Sequence, residues 1–384
     1  MKKAYLDNIA FILFSFFYVV FRGRAIHVPK SLKKILVVQS AKMGDMVAVT
    51  SVFRAIKKQY PNIHLSVVGM GFNRELLVGN KDVDEYITYK YESPPQWWKI
   101  YRAQHFDVAL LTAPDTHSLA MMFLSGIPLV VTPTITGTKA ETETVTYKLL
   151  SMLVKKVTYV MVTAYTPREY LKILEPIGIV TEDTTKHLAY SEHAKQSVLS
   201  FFEKHRITYG KDFIVGVAPS AGNKVKSWLP DRYAETIQYL IQKYNAKIVI
   251  IGGPSDKVLV DAVMEHLPDS SEIINTTSQF SIEELKALVA HLNIFISGDT
   301  GPIHIAAAFE IPSVNILGPV GEIEMPPRGP FHRNVIPPRK RPELYVMTVR
   351  QFDPVEAQKQ INDTTVGMVK ETIDTLIRDI KKPS

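Results

Sequence analysis

The 384-residue chain contains no cysteine, which excludes disulfides, thiolate nucleophiles and thiolate-held zinc or iron–sulfur sites. It also lacks the common nucleotide fingerprints. No Gly-x-Gly-x-x-Gly follows a strand pattern and no Gly-x-x-x-x-Gly-Lys-Ser/Thr occurs, so dinucleotide redox chemistry and P-loop hydrolysis lose their usual support. Wholesale disorder is excluded as well, because 46% hydrophobic and 22% charged residues is the balance of a folded chain. This length predicts two domains rather than one small module.

Net positive charge is scarce outside one short arm. The formal net charge is +7, which by itself hints at nucleic acid. Residues 1–34 hold Lys2, Lys3, Arg22, Arg24, Lys30, Lys33 and Lys34 against Asp7 alone, so +6 of that charge sits in the arm and the body is nearly neutral. A phosphate-backbone binder spreads basic surface over a folded domain; no nucleic-acid partner is expected, and the arm reads as a membrane signal.

Within the arm, Asn8–Phe21 is 14 residues without a charge and rich in Phe. A bilayer-spanning helix needs about 20 apolar residues, so an interfacial or shallowly inserted helix fits better, its flanking cations meeting anionic headgroups. A packed structural helix is the competing reading. A cleaved signal peptide fits less well, because Arg22-Gly-Arg24 follows the run without a small-residue cleavage site.

From Lys34 onward strand and helix signals alternate, the pattern of parallel sheets with crossover helices. The first half offers strands at Ile35–Gln39, Ile63–Val68, Val108–Thr112 and Leu129–Val131, with a helix over Met46–Gln59 closed off by Pro61. A second series runs through Phe213–Ala218, Lys247–Ile251, Glu272–Ile274, Ile294–Ser297 and Ser313–Leu317. Helical patterns separate them at Asp231–Tyr244, Asp256–His266, Ile282–His291 and Pro302–Phe309. The reading is an α/β chain of two Rossmann-like domains, residues 34–190 and 191–350, behind the membrane-associating segment 1–33. A helical segment at 351–384 is expected to pack back on the first domain.

Ligands in such sheets bind where strands end and helices begin. The first such turn, Gln39-Ser-Ala-Lys-Met-Gly-Asp45, places Gly44 in a tight bend and Asp45 where the helix dipole favours an ionised carboxylate. A plain helix cap is the alternative for Asp45. The second, Ala218 to Trp228, contains Ser220, Lys224 and Lys226, small residues and mobile charge suited to a diphosphate. The third, Ser297-Gly-Asp-Thr-Gly-Pro302, sets Gly298 and Gly301 around Asp299 and Thr300 at a helix start, an anion site by construction. A carboxylate beside a phosphate is repulsive, so Asp299 suits sugar hydroxyls; an unliganded N-cap is the alternative.

Together these turns resemble the ADP-heptose:lipopolysaccharide heptosyltransferase family. The likeness runs through Lys34-Ile-Leu-Val-Val-Gln-Ser-Ala-Lys-Met-Gly-Asp45, Pro219-Ser-Ala with Lys226-Ser-Trp-Leu-Pro230, Ile251-Gly-Gly-Pro254, and Gly298-Asp-Thr-Gly-Pro-Ile-His-Ile-Ala-Ala-Ala308 through Gly318-Pro319. The resemblance implies a GT-B architecture with two domains facing a central cleft. It also implies an inverting, metal-independent transfer from a nucleotide-diphosphate sugar, ADP-heptose first, without a cofactor. Residue by residue it makes Asp45 the general base, Lys226 a phosphate contact, and Asp299, Thr300 and Gly301 the donor turn. Ser220 falls in the donor loop, and Asp256 becomes a candidate for the ribose hydroxyls. Gln39 stands where the family often has Arg, and Gly298 where it commonly has Asn.

The acceptor implied is a lipopolysaccharide-core precursor or related glycolipid, and the location the cytoplasmic face of the inner membrane, peripheral or monotopic. Two further segments are suggestive. Tyr86, Tyr89, Tyr91, Trp97, Trp98 and Tyr101 surround Pro94-Pro95 as at a membrane interface. Arg328, Arg333, Arg339, Lys340 and Arg341 lie among prolines in a loop suited to phosphates. A sugar-nucleotide epimerase and a membrane-tethered binding protein without catalysis are the alternatives.

Overall fold

The computed structural model describes residues 2–88, 94–138, 140–220, 222–345 and 352–382. The chain divides into two compact units, residues 1–74 with 81–186 and residues 75–80 with 187–384.

The first unit is built on a six-stranded sheet of order β3-β2-β1-β4-β5-β6, all neighbours parallel. Its strands are β1 (Lys34–Gln39), β2 (His64–Gly69), β3 (Glu85–Thr88), β4 (Val108–Leu111), β5 (Leu129–Thr136) and β6 (Lys155–Val160). Ile35–Val38 is an unbroken apolar run and wholly buried, as expected where helices cover both sheet faces. Its helices are α1 (Lys2–Arg22), α2 (Met43–Gln59), α3 (Asn73–Leu76, whose last two residues belong to the other unit), α4 (Pro94–Gln104), α5 (Thr116–Leu124), α6 (Val145–Ser151) and α7 (Thr166–Leu171). One core joins Leu36, Val38 and Leu111 to Leu119, Phe123 and Tyr147, and Tyr18 and Val19 of α1 pack against it.

Helix α1 is therefore held on the protein along one side. Ser15 is buried, Tyr18 meets Phe123 edge-on at 6.2 Å, and the Arg22 guanidinium donates to the carbonyls of Phe123 and Ile127. Among the described residues no helix is long and apolar enough to cross a membrane.

The second unit repeats the plan with order β12-β11-β10-β7-β8-β9, again parallel throughout. Its elements are α8 (Glu192–Lys204), β7 (Phe213–Ala218), α9 (Pro230–Tyr244), β8 (Ala246–Ile250), α10 (Lys257–Met264), β9 (Ile273–Asn275), α11 (Ile282–Ala290), β10 (Ile294–Gly298), α12 (Gly301–Ala308), β11 (Ser313–Ile316), β12 (His332–Val335), α13 (Pro354–Asn362) and α14 (Val366–Ile380). The α11 start is a full capping box, Ser281 and Glu284 each accepting the other's backbone N–H.

The C-terminal segment corrects an expectation. Instead of a helix docked on the first domain, Ile361 of α13 and Val369, Ile373, Leu376 and Ile377 of α14 share the second unit's core with Val314, Ile316 and Val335. Those apolar residues recur at helical spacing, and α14 covers them against α9, β11 and β12. Asp374 adds polar ties, accepting from Tyr239, Tyr244 and Lys243 of α9.

Candidate active site

In each sheet the chain winds outward from a central strand, returns, and winds the other way, so the order reverses between β1 and β4 and between β7 and β10. The carboxyl ends of strands at such a switch point open a crevice that helix tops cannot cover. After β1 the chain enters α2 at Met43, so Gly44, expected in a tight bend, and Asp45 are residues of the helix's first turn; the segments after β7 and β10 hold Ser220 and Lys226, and Gly298–Gly301. The turns singled out from sequence therefore occupy both switch points.

Asp45 is the third residue of α2, within its first turn, where aligned peptide N–H groups favour a carboxylate. Its Oδ1 accepts a 2.9 Å hydrogen bond from the Tyr170 hydroxyl on α7. Tyr170 is buried, its ring edge-on to Tyr159 at 6.0 Å. Burial and then the neighbouring Asp45 charge push the Tyr170 phenol well above its ordinary range, so it stays protonated and serves as a donor. Gln39, buried at the end of β1, accepts the Ala41 N–H at 3.1 Å and folds the turn back on itself. Gly69 at the end of β2 is fixed by crowding, since a Cβ there would meet the Tyr86 hydroxyl at 2.5 Å.

In the second unit the structure joins two residues that the sequence treats separately. Lys226 Nζ donates to Asp299 Oδ2 at 2.7 Å and to the Asp299 carbonyl at 3.1 Å, both side chains largely shielded. The charge pair thus sits beside Thr300 and Gly301, where α12 begins. Thr300 Oγ1 is buried without a hydrogen-bond partner among the described residues. A Cβ at Gly298 would meet the Lys226 and Ile316 carbonyls at 3.7 Å, ordinary contact, so packing alone does not require glycine there.

The loop carrying Lys226 is anchored from below. Trp228 is buried, lies edge-on to Tyr233 at 5.0 Å, and donates its indole N–H to the Thr364 carbonyl at 2.8 Å. The C-terminal segment therefore braces the loop after β7. Asn223 caps the short turn Lys224–Lys226 through the Val225 N–H. Ser220 is half-buried at the end of β7, and Ala221 lies outside the described residues.

Two other expectations fare differently. Asp256 Oδ2 accepts the Gly253 N–H at 2.8 Å, so that oxygen closes its own turn beyond β8. Arg339 has a side chain only 4% exposed and donates to the Gly318 and Val320 carbonyls and to Glu322. Its fork ties the loop together rather than presenting a free cation. In the aromatic stretch, Tyr89 and Tyr91 lie outside the described residues, as do the side chains of Trp97 and Trp98. Tyr101 is buried in the core and edge-on to Phe106, and the Tyr86 hydroxyl donates to the Met70 carbonyl.

Sequence reasoning missed Tyr170, Trp228's bracing role and the Lys226–Asp299 pair. No local signal marks them, because the partners lie 125, 136 and 73 residues apart.

The sequence model of glycosyltransferase family 9 (heptosyltransferase) matches residues 96–344. The chain belongs to glycosyltransferase family 9. Lipooligosaccharide heptosyltransferase 2 of Haemophilus influenzae is 25% identical over 305 residues, covering 76% of this chain and 85% of the relative. Among solved structures, a family 9 glycosyl transferase from Veillonella parvula aligns with a TM-score of 0.70 at 19% identity, covering 90% of this chain and 97% of that one. The E. coli ADP-heptose lps heptosyltransferase II aligns at 0.68 and 19%, over 88% and 99%. At that identity the likeness shows the fold, paired Rossmann-like domains. A family 9 glycosyltransferase is a transferase, so an epimerase or an inactive binding protein is not favoured.

Proposed function

We propose that this family 9 glycosyltransferase moves a heptose from ADP-heptose to a lipopolysaccharide-core glycolipid with inversion at the anomeric carbon. The observation that carries this is the placement of Asp45 at one switch point and of Lys226, Asp299 and the α12 N-terminus at the other. The acceptor hydroxyl oxygen bonds to the anomeric carbon as the bond from that carbon to the diphosphate oxygen breaks. Asp45 takes the hydroxyl proton and ADP leaves with the electron pair. General-base help of this kind is worth about 10²–10⁴-fold.

Lys226 and the N–H groups of Thr300 and Gly301 stabilise the charge on the departing diphosphate. Asp299 keeps Lys226 in place and, with the buried Thr300 hydroxyl, suits sugar hydroxyls. Asp256 and Ser220 are weaker contributors: one Asp256 oxygen is spent on its own turn, and Ser220 offers backbone and hydroxyl at the β7 end. The relatives are named for lipooligosaccharide and lps work, which supports a lipid-borne acceptor and a peripheral place on the cytoplasmic face of the inner membrane, with residues 1–34 as the contact.

Asp45→Asn is expected to abolish ADP release in the presence of acceptor while ADP-heptose still raises the melting temperature. A ligand at a hundred times its Kd adds about 2.7 kcal/mol. Turnover persisting in the variant removes Asp45 from the mechanism, and stabilisation by a different nucleotide sugar alone overturns the donor.

A further inference from the structure

The membrane reading invokes only residues 1–34, yet the structure gives α1 a neighbour of the same character. Its inward positions are Ile12, Ser15, Tyr18, Val19 and Arg22, and its outward positions Leu13, Phe14, Phe17, Val20 and Phe21, each of the latter at least 66% exposed. A helix packed on a soluble protein carries polar residues on its outer face. Here the outward positions are all apolar. An aromatic side chain offers roughly 150–250 Å², so three Phe rings leave on the order of 300–500 Å² bare, as large as the biggest patch on an ordinary monomer.

Helix α6 packs against α1 and carries exposed apolar residues of its own. Val145 and Leu149 of α6 and its C-cap Met152 fall at i, i+4 and i+7, and are 76%, 37% and 55% exposed. Between the helices the chain is stitched by a bridge from Ala25 to Val154 and one from Ile26 to Leu129, with Ile26 and Val28 exposed beside them. Residues 12–34 and 144–156 contain no Asp or Glu, although Lys148 Nζ lies 3.9 Å from the Glu143 carboxylate. Arg24, Lys30, Lys33, Lys148 and Lys156 are exposed on the segments that carry or flank these helices, whereas Lys155 shares the other face of β6 with Val157 and Tyr159, toward α7. An apolar centre with a cationic rim is complementary to a bilayer surface of anionic lipid, apolar groups entering the acyl boundary and cations meeting headgroups.

We propose that the membrane-docking face is composite, α1 and α6 together with the basic residues Arg24, Lys148 and Lys156, and that its partner is an anionic lipid surface on which α1 lies flat. This deepens the peripheral-membrane reading above and rests on it.

The test is vesicle co-flotation of the full chain, using phosphatidylethanolamine vesicles with 30% (about a third) phosphatidylglycerol against pure phosphatidylcholine. Wild type is expected to float with the anionic vesicles and to be released by high salt. Leu149→Glu with Met152→Glu, leaving α1 intact, is expected to cut flotation about tenfold, and Lys148→Gln with Lys156→Gln several-fold on anionic vesicles only. These are surface positions, so circular dichroism and ADP release with a soluble acceptor fragment should be unchanged. If Phe17→Glu with Phe21→Glu releases the protein but the α6 variant floats like wild type, the composite face is wrong while membrane association stands. If wild type binds no vesicle, the membrane reading itself fails. A concentration-dependent dimer in light scattering, abolished by the α6 variant, assigns the patch to a second copy and overturns the lipid partner.

Discussion

Tyr170→Phe separates a positioning role for this residue from a merely structural one. The ring stays, along with its edge contact to Tyr159 at 6.0 Å; what goes is the hydroxyl that donates to Asp45 Oδ1 at 2.9 Å. A hydrogen bond to a charged acceptor is worth about 1.5–3 kcal/mol. Two effects then oppose one another. A carboxylate without that donor is a better base, which at a Brønsted slope near one half returns only a few-fold in rate. It also loses one hydrogen bond that orients it, and misplacement of reacting groups by about 1 Å costs on the order of 10²-fold. Orientation wins, so kcat should fall about 10- to 30-fold, with the donor KM within about twofold of wild type.

The hydrogen bond favours the ionised form, so its loss makes Asp45 harder to ionise and the acid limb of the kcat profile moves to higher pH. Stability should drop by about 1–2 kcal/mol, a few degrees in Tm. The assay is coupled ADP release at saturating acceptor across pH, repeated in an Asp45→Ala background. There the Tyr170 change should have almost no further effect, because the two act as one unit. An unmoved acid limb with kcat within twofold of wild type, or an equal loss in the Asp45→Ala background, refutes the reasoning.

Two other outcomes follow from charge placement. Lys226→Ala strips the diphosphate of a cation and leaves the Asp299 carboxylate facing it, so ADP affinity by calorimetry should fall about 30- to 100-fold, while adding Asp299→Asn should recover several-fold of it; no recovery dissolves the pair's electrostatic coupling. Lys286 is buried and donates to the Leu76 and Val78 carbonyls at 3.0 and 2.9 Å; burial pushes its ammonium down to about 8, against the pull of Glu283 and Glu75. The unfolded chain therefore holds that proton more tightly, and the folded state gains stability as pH rises from about 8 to the ordinary lysine value near 10.5. Lys286→Met should erase this part of the denaturation-midpoint profile, and parallel profiles for the two proteins would contradict it.

The central strands were legible because burial on both faces writes them as apolar runs: β7 occupies Phe213–Ala218, the span its sequence predicts. The edges were not. β3 and β12 are half-exposed, and β6 opens with Lys155 and Lys156 facing solvent, so polar residues there blur the pattern, as edge strands require. The site divides along the same line. Asp45 and the Gly298–Gly301 turn drew notice because their signals are local, a strand end followed by a helix start; Gly44 lies inside α2 rather than in a bend before it, since the helix opens at Met43. The Lys226–Asp299 bond could not be found, since sequence spacing carries no information about two loops that meet only when β7 and β10 pair. Asp256 shows the converse: a carboxylate three residues after a glycine has a local partner at hand, the Gly253 N–H, and a turn takes it first.

Helix α1 shows where composition runs out. A run of apolar residues states that water is avoided on all sides, but protein interior and lipid satisfy that demand equally well, and both readings stood open on the sequence. The structure splits the run by angle. Ser15 and the Arg22 guanidinium face inward, where backbone carbonyls satisfy the arginine's donors, so the inner face is fixed by polar bonds that a lipid could not supply. The outer face has only apolar side chains to offer. A freely inserted helix would have no use for an arginine satisfied by its own protein, and a purely structural one would have no use for Phe14, Phe17 and Phe21 in water. Only a helix held on one side and covered by something apolar on the other makes both halves of the pattern favourable at once.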